Sequence, residues 1–83
     1  MKIRYFAWVR ERIGRAEEEI ALPDEVRTVA GLVSFLKTQG PEYETAFARE
    51  GVVRAAIDRV HVKPDAVISS AKEIAFFPPM TGG

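Results

Sequence analysis

Residues 28–41 read Thr-Val-Ala-Gly-Leu-Val-Ser-Phe-Leu-Lys-Thr-Gln-Gly-Pro, "TVAGLVSFLKTQGP", and carry the clearest helical signal in the chain. The Thr28 hydroxyl can cap a first turn. Val29, Leu32, Val33 and Leu36 then follow at i, i+3, i+4 and i+7, a single apolar stripe that must face a core. Gly40 followed by Pro41 ends the pattern. Gly31 costs about 1 kcal/mol relative to alanine inside a helix, so it either permits a close approach to a sheet or has no packing role.

Outward from this helix, both flanks carry strand patterns. Residues 2–9 alternate, with Ile3, Tyr5, Ala7 and Val9 on one face and Arg4, Phe6 and Trp8 on the other. Gly14 marks a turn, and a second strand over residues 19–22 stops at Pro23. On the far side, Pro41 opens a short second helix over residues 41–49, with Tyr43, Ala46 and Phe47 on one side. Residues 53–62 read as a hairpin reversing at Asp58-Arg59, and residues 73–77 as a last strand.

A helix between two strand pairs predicts one mixed α+β sheet with the helix across one face. A right-handed crossover sets the first and last strands side by side and parallel in the centre. This is the β-grasp, or ubiquitin-like, topology, and it accounts for residues 1–83 as a single domain with residues 78–83 as a projecting tail. Ile74 and Phe76 point inward, leaving Phe6, Trp8, His61 and Phe77 on the uncovered face, a cluster that reads as a docking surface.

Composition narrows the function. Twelve Lys and Arg balance twelve Asp and Glu, so the charge balance predicts neither nucleic acid nor an anionic membrane as partner. The chain has no cysteine, hence no side-chain thiol to act as nucleophile or sulfur carrier. The amino-terminal residues lack a signal-peptide pattern, which predicts a cytoplasmic protein. His61 has no nucleophile beside it and reads as a surface or interface residue. Glu17-Glu18-Glu19 alternate between faces, which suits a solvated edge and not a metal site. No phosphate-binding glycine loop occurs.

The carboxyl-terminal run "FFPPMTGG", residues 76–83, is the one stretch these readings leave unassigned. Pro78 and Pro79 cannot donate ladder hydrogen bonds, so they end the last strand and hold the next residues extended. Met80, Thr81, Gly82 and Gly83 can then reach roughly 13–14 Å at ~3.3–3.6 Å per residue. Glycines without Cβ atoms fit a narrow channel. Such a tail can deliver a carboxylate into another protein's active site, where activation as a mixed anhydride makes it an acyl donor. Without cysteine, sulfur could be held there as a terminal thiocarboxylate.

With "EIAFFPPMTGG" at the end, "YFAWVRERIG" near the start and "VRAAIDR" between, the chain resembles the small subunits of molybdopterin synthase, which are ubiquitin-like sulfur carriers. The resemblance implies that an activating enzyme related to those of ubiquitin uses ATP to adenylate Gly83, and that a sulfur donor protein converts the adenylate to a thiocarboxylate. The large synthase subunit then receives the tail, with Thr81 and Gly82 threading its channel, and cyclic pyranopterin monophosphate accepts the sulfur. The chain itself is expected to bind no cofactor or metal and to supply no catalytic side chain, acting as the sulfur-donating subunit of a sulfurtransferase. Matched residue by residue to the family, Phe6, Arg10, His61 and Phe77 fall at or near the partner contact, and Trp8, Pro78, Pro79 and Met80 are expected to bind the partner with them. Where the family has Asp-Gly-Asp-Glu before the last strand, this chain has Ser70-Ala71-Lys72-Glu73, which questions a positive-φ turn at residue 71. A carrier for thiazole synthesis, a protein modifier and a β-grasp interaction module are the competing readings.

Overall fold

Ile74 and Phe76 alternate with Glu73, Ala75 and Phe77, and this segment, β5 (Glu73–Phe77), is the central strand of a five-stranded sheet. The structure is a computed structural model that describes residues 1–49 and 52–79; the expectations placed on Met80, Thr81, Gly82 and Gly83 lie outside them. The other strands are β1 (Lys2–Tyr5), β2 (Glu17–Glu19), β3 (Arg54–Ile57) and β4 (Val60–Val62), in the order β2-β1-β5-β3-β4. β1 runs parallel to β5, with Ile3 beside Ile74 and Tyr5 beside Phe76, as the crossover argument requires.

The inner face of the sheet buries Ile3, Tyr5, Ile74 and Phe76 at 1% exposure or less. Leu32 and Leu36 of α2 (Val29–Lys37) cover them and are themselves fully buried. Tyr5 stacks on Phe76 with ring centroids 6.3 Å apart, and Phe47 meets Phe76 edge-on at 5.1 Å. The Thr28 hydroxyl accepts from the Gly31 amide at 3.1 Å, the cap read from the sequence. A Cβ on Gly31 would meet Thr28 Oγ1 at 3.4 Å and Val26 at 4.0 Å, ordinary contacts with no sheet backbone among them. Gly31 therefore has no packing role.

The first strand is shorter than its alternation predicts. β1 ends at Tyr5, Phe6 donates one more backbone hydrogen bond to Phe76, and Ala7 turns the chain away at φ 53°. Helix α1 (Ala7–Ile13) follows, burying Val9 and Ile13 one turn apart and closing on Gly14 at φ 87°. The cause lies in the neighbouring strand: beyond Phe77, Pro78 has no N–H to continue a ladder, so β1 has nothing to pair with. Ala7, Trp8 and Val9 consequently leave the sheet, and Trp8 is not on its open face.

The second strand is also displaced, from residues 19–22 to Glu17–Glu19. The register sets Lys2 against Glu19, so Ala21 and Leu22 have no residue of β1 opposite them. The second helix, α3 (Pro41–Ala46), is shorter than residues 41–49. The β3–β4 hairpin reverses at Asp58 and Arg59, at φ 45° and 73°, as read. Ala71 does not adopt positive φ; its amide donates to the Ile68 carbonyl, and the Asp58 carboxylate accepts from the Lys72 and Glu73 amides, so the loop closes without glycine.

Candidate functional site

Strand parity places the open-face groups. Phe77 lies opposite Arg54, and His61 opposite Ala56, so these four share the face away from α2. His61 and Phe77 reach across β3 to a ring separation of 4.9 Å, tilted by 44°. Phe6, just past the end of β1, is 39% exposed, and the Arg4 guanidinium lies 5.2 Å from its ring centre while also pairing with Glu73 at 3.2 Å. Arg4 thus links the Phe6 end of the face to β5.

This face is less uniformly aromatic than its sequence suggested. Phe6, His61 and Phe77 are on or beside it, but its β2–β1 half carries charges, with Lys2 paired to Glu17 at 3.3 Å. A shallow hollow of about 490 Å³ includes Arg54, His61, Lys63, Phe77 and Pro79 in its lining. Trp8 instead lies on α1 with the Arg12 guanidinium 4.3 Å above its ring, beside α3 and Pro79. Arg10, on the same helix, is exposed. Pro78 and Pro79 follow the last strand directly and are half-buried.

Beneath the sheet edge is a cluster the sequence did not disclose. Glu18 stands opposite Ile3 and so turns to the inner face. Its Oε2 accepts from the Tyr5 hydroxyl at 2.7 Å and the Tyr43 hydroxyl at 2.6 Å, while Arg15 donates to Oε1 at 3.0 Å. Burial, then the hydrogen bond to Glu18, pushes the Tyr43 phenol up to about 12 and the Tyr5 phenol higher still. The cluster ties β1, β2 and α3 together and has the character of a structural brace. Among the described residues no group of three or more His, Cys, Asp or Glu is placed to hold a metal, and no helix is long and apolar enough to cross a membrane.

A family model described as the ThiS family matches residues 3–83. The chain belongs to the ThiS family. Molybdopterin synthase sulfur carrier subunits of Escherichia coli K12 and Haemophilus influenzae Rd are 34% and 31% identical to this ThiS-family chain over 83 residues, covering 100% of it and 99% of each relative. Among solved structures, SAMP1 from Haloferax volcanii is similar with a TM-score of 0.78 across 100% of this chain and 98% of that one, at 20% identity, which bears on the fold alone. A Pyrococcus furiosus chain assigned as molybdopterin converting factor subunit 1 gives 0.73, with 94% of both chains covered and 29% identity. The fold of this family member is accordingly the β-grasp read from its strand order.

Proposed function

We propose that this ThiS-family chain is the sulfur carrier subunit of a molybdopterin synthase in molybdenum cofactor biosynthesis. The observation that carries the reading is the full-length similarity to subunits of that name, in a chain whose central strand ends at two prolines beside the pair of an exposed His61 and a half-buried Phe77. A carboxylate is a poor acyl donor, so the Gly83 carboxylate first attacks the α-phosphorus of ATP in an adenylating enzyme, and pyrophosphate leaves. Sulfide-level sulfur (HS⁻) released by a sulfur donor then attacks the acyl carbon, the acyl–phosphate C–O bond breaks, and AMP leaves, so that Gly83 ends in a thiocarboxylate. In the large synthase subunit that sulfur passes to cyclic pyranopterin monophosphate.

In this reading the small subunit positions and the large subunit catalyses. Phe6, Arg10, His61 and Phe77 dock on the large subunit, Pro78, Pro79 and Met80 direct the tail, and Thr81 and Gly82 thread the channel. Trp8 contacts the partner from the flank of the tail, not from the sheet. ATP belongs to the activating enzyme, and this chain binds no cofactor.

The docking role is tested with Phe77→Asp against the purified large subunit encoded in the same genome. Burying an unpaired carboxylate at the contact is expected to weaken the heterodimer by several kcal/mol with the fold retained. Unchanged affinity would refute the assigned face. A carrier for thiazole synthesis would instead fail to bind the large subunit in its unmutated form.

A further inference from the structure

Pro79 lines two hollows at once. One, of about 430 Å³, lies along α1 and α3 and includes Trp8, Arg12, Thr45 and Arg49 in its lining. The other is the open-face hollow with Arg54, His61 and Lys63. Among the described residues, Arg12 and Arg49 on one side, and Arg54, His61 and Lys63 on the other, are the only ionisable liners of the two, and all are basic and exposed.

That segregation is not a consequence of composition, because acidic and basic residues are equal in number. The cations that are paired, namely the amino terminus, Lys2, Arg4 and Arg15, bind Glu19, Glu17, Glu73 and Glu18. None of the five groups around Pro79 makes an ion pair among the described residues. Arg12, Arg49, Arg54 and Lys63 carry like charges that repel each other over a screening length of about 8 Å at physiological salt, and that repulsion is relieved when a carboxylate-bearing surface arrives. The Arg12 guanidinium already lies over Trp8, 4.3 Å from the ring centre, which lowers the entropy lost on pairing.

We infer that the point where the tail leaves the domain is a cationic collar that mates with an acidic rim around the tail channel of the large subunit. The inference rests on the proposed function. The collar adjoins the docking face through Phe77 and Pro79, so one partner can cover both, and the charges around the exit orient the tail before the aromatic contacts close.

Two collar variants, Arg12→Glu/Arg49→Glu and Arg54→Glu/Lys63→Glu, are titrated calorimetrically with the purified large subunit at low and high salt. A control of equal charge change, Arg27→Glu/Arg59→Glu, alters exposed residues away from the exit. The collar variants are expected to bind roughly tenfold or more weakly at low salt and to lose most of the salt dependence of the unmutated protein, with the control within about twofold. Arg→Gln and Lys→Gln versions, checked for folding by circular dichroism, give a smaller loss in the same order. Collar variants that bind like the control overturn the inference; if Phe77→Asp still abolishes binding, the docking face survives and only the collar fails. An unmutated chain that does not bind the large subunit removes both. Tight, salt-dependent binding of a DNA or RNA oligonucleotide lost in the collar variants would instead assign the collar to nucleic acid and contradict the inference.

Discussion

Glu18 is the residue on which the sequence was least informative. In the run Glu17-Glu18-Glu19 nothing distinguishes the middle carboxylate, and only the register with β1 turns it inward. Both tyrosines of the chain donate to one of its oxygens. Tyr43→Phe removes a hydrogen bond to a charged acceptor and is expected to cost about 1–2 kcal/mol in urea unfolding at neutral pH. The phenol of Tyr43 is pushed up to about 12 in the folded protein, from an ordinary value of 10.0. Between these values the unfolded chain loses the proton and the folded one keeps it, so stability is complete below pH 10 and falls as pH rises toward 12. Tyr43→Phe should shallow that alkaline decline; an identical decline would exclude the brace. Asp58 makes a second case, accepting from two amides at φ 45°. Asp58→Ala is expected to lose about 1–2 kcal/mol and Asp58→Asn less, because asparagine tolerates the left-handed conformation and keeps an acceptor.

At the scale of elements, legibility followed the origin of each boundary. The cap at Thr28, the reversal at Asp58-Arg59 and the span of β5 are set by residues within the segment, and all were readable. The end of β1 was not, because it is set by the missing N–H of Pro78, just past the end of a strand about seventy residues away in sequence. Alternation through Ala7 and Val9 fitted a strand equally well, while Val9 and Ile13, one helical turn apart, were the available sign of α1. Gly31 offers a direct test of the helix account. Space for a methyl group exists beside Thr28 Oγ1, so Gly31→Ala is expected to stabilise the protein by about 0.5–1 kcal/mol in thermal or urea unfolding. Destabilisation would mean that the helix does approach the sheet closely at this glycine. Leu32→Ala, at a fully buried position of the same helix, is expected to cost about 2–5 kcal/mol.

For the whole molecule, the strand order was readable because the handedness of a crossover leaves few arrangements of a helix between two hairpins. The open sheet face was readable in part: parity identified His61 and Phe77, which do meet, but carried Trp8 onto a face it had already left. Its position beside Arg12 and Pro79 makes the chain's single tryptophan a reporter on the flank of the tail. The proposed division of labour, with a folded domain that docks and a tail that reacts, predicts that deleting Gly82 and Gly83 abolishes sulfur transfer while the melting temperature stays nearly constant. Unfolding of that variant would make the tail structural. The central claim, that Gly83 carries the sulfur, is tested most directly by the intact mass of the purified chain after incubation with its adenylating enzyme, ATP and a sulfur donor. The account predicts a gain equal to the replacement of one oxygen by sulfur, located on Gly83; an unchanged mass with a demonstrably active enzyme would contradict it.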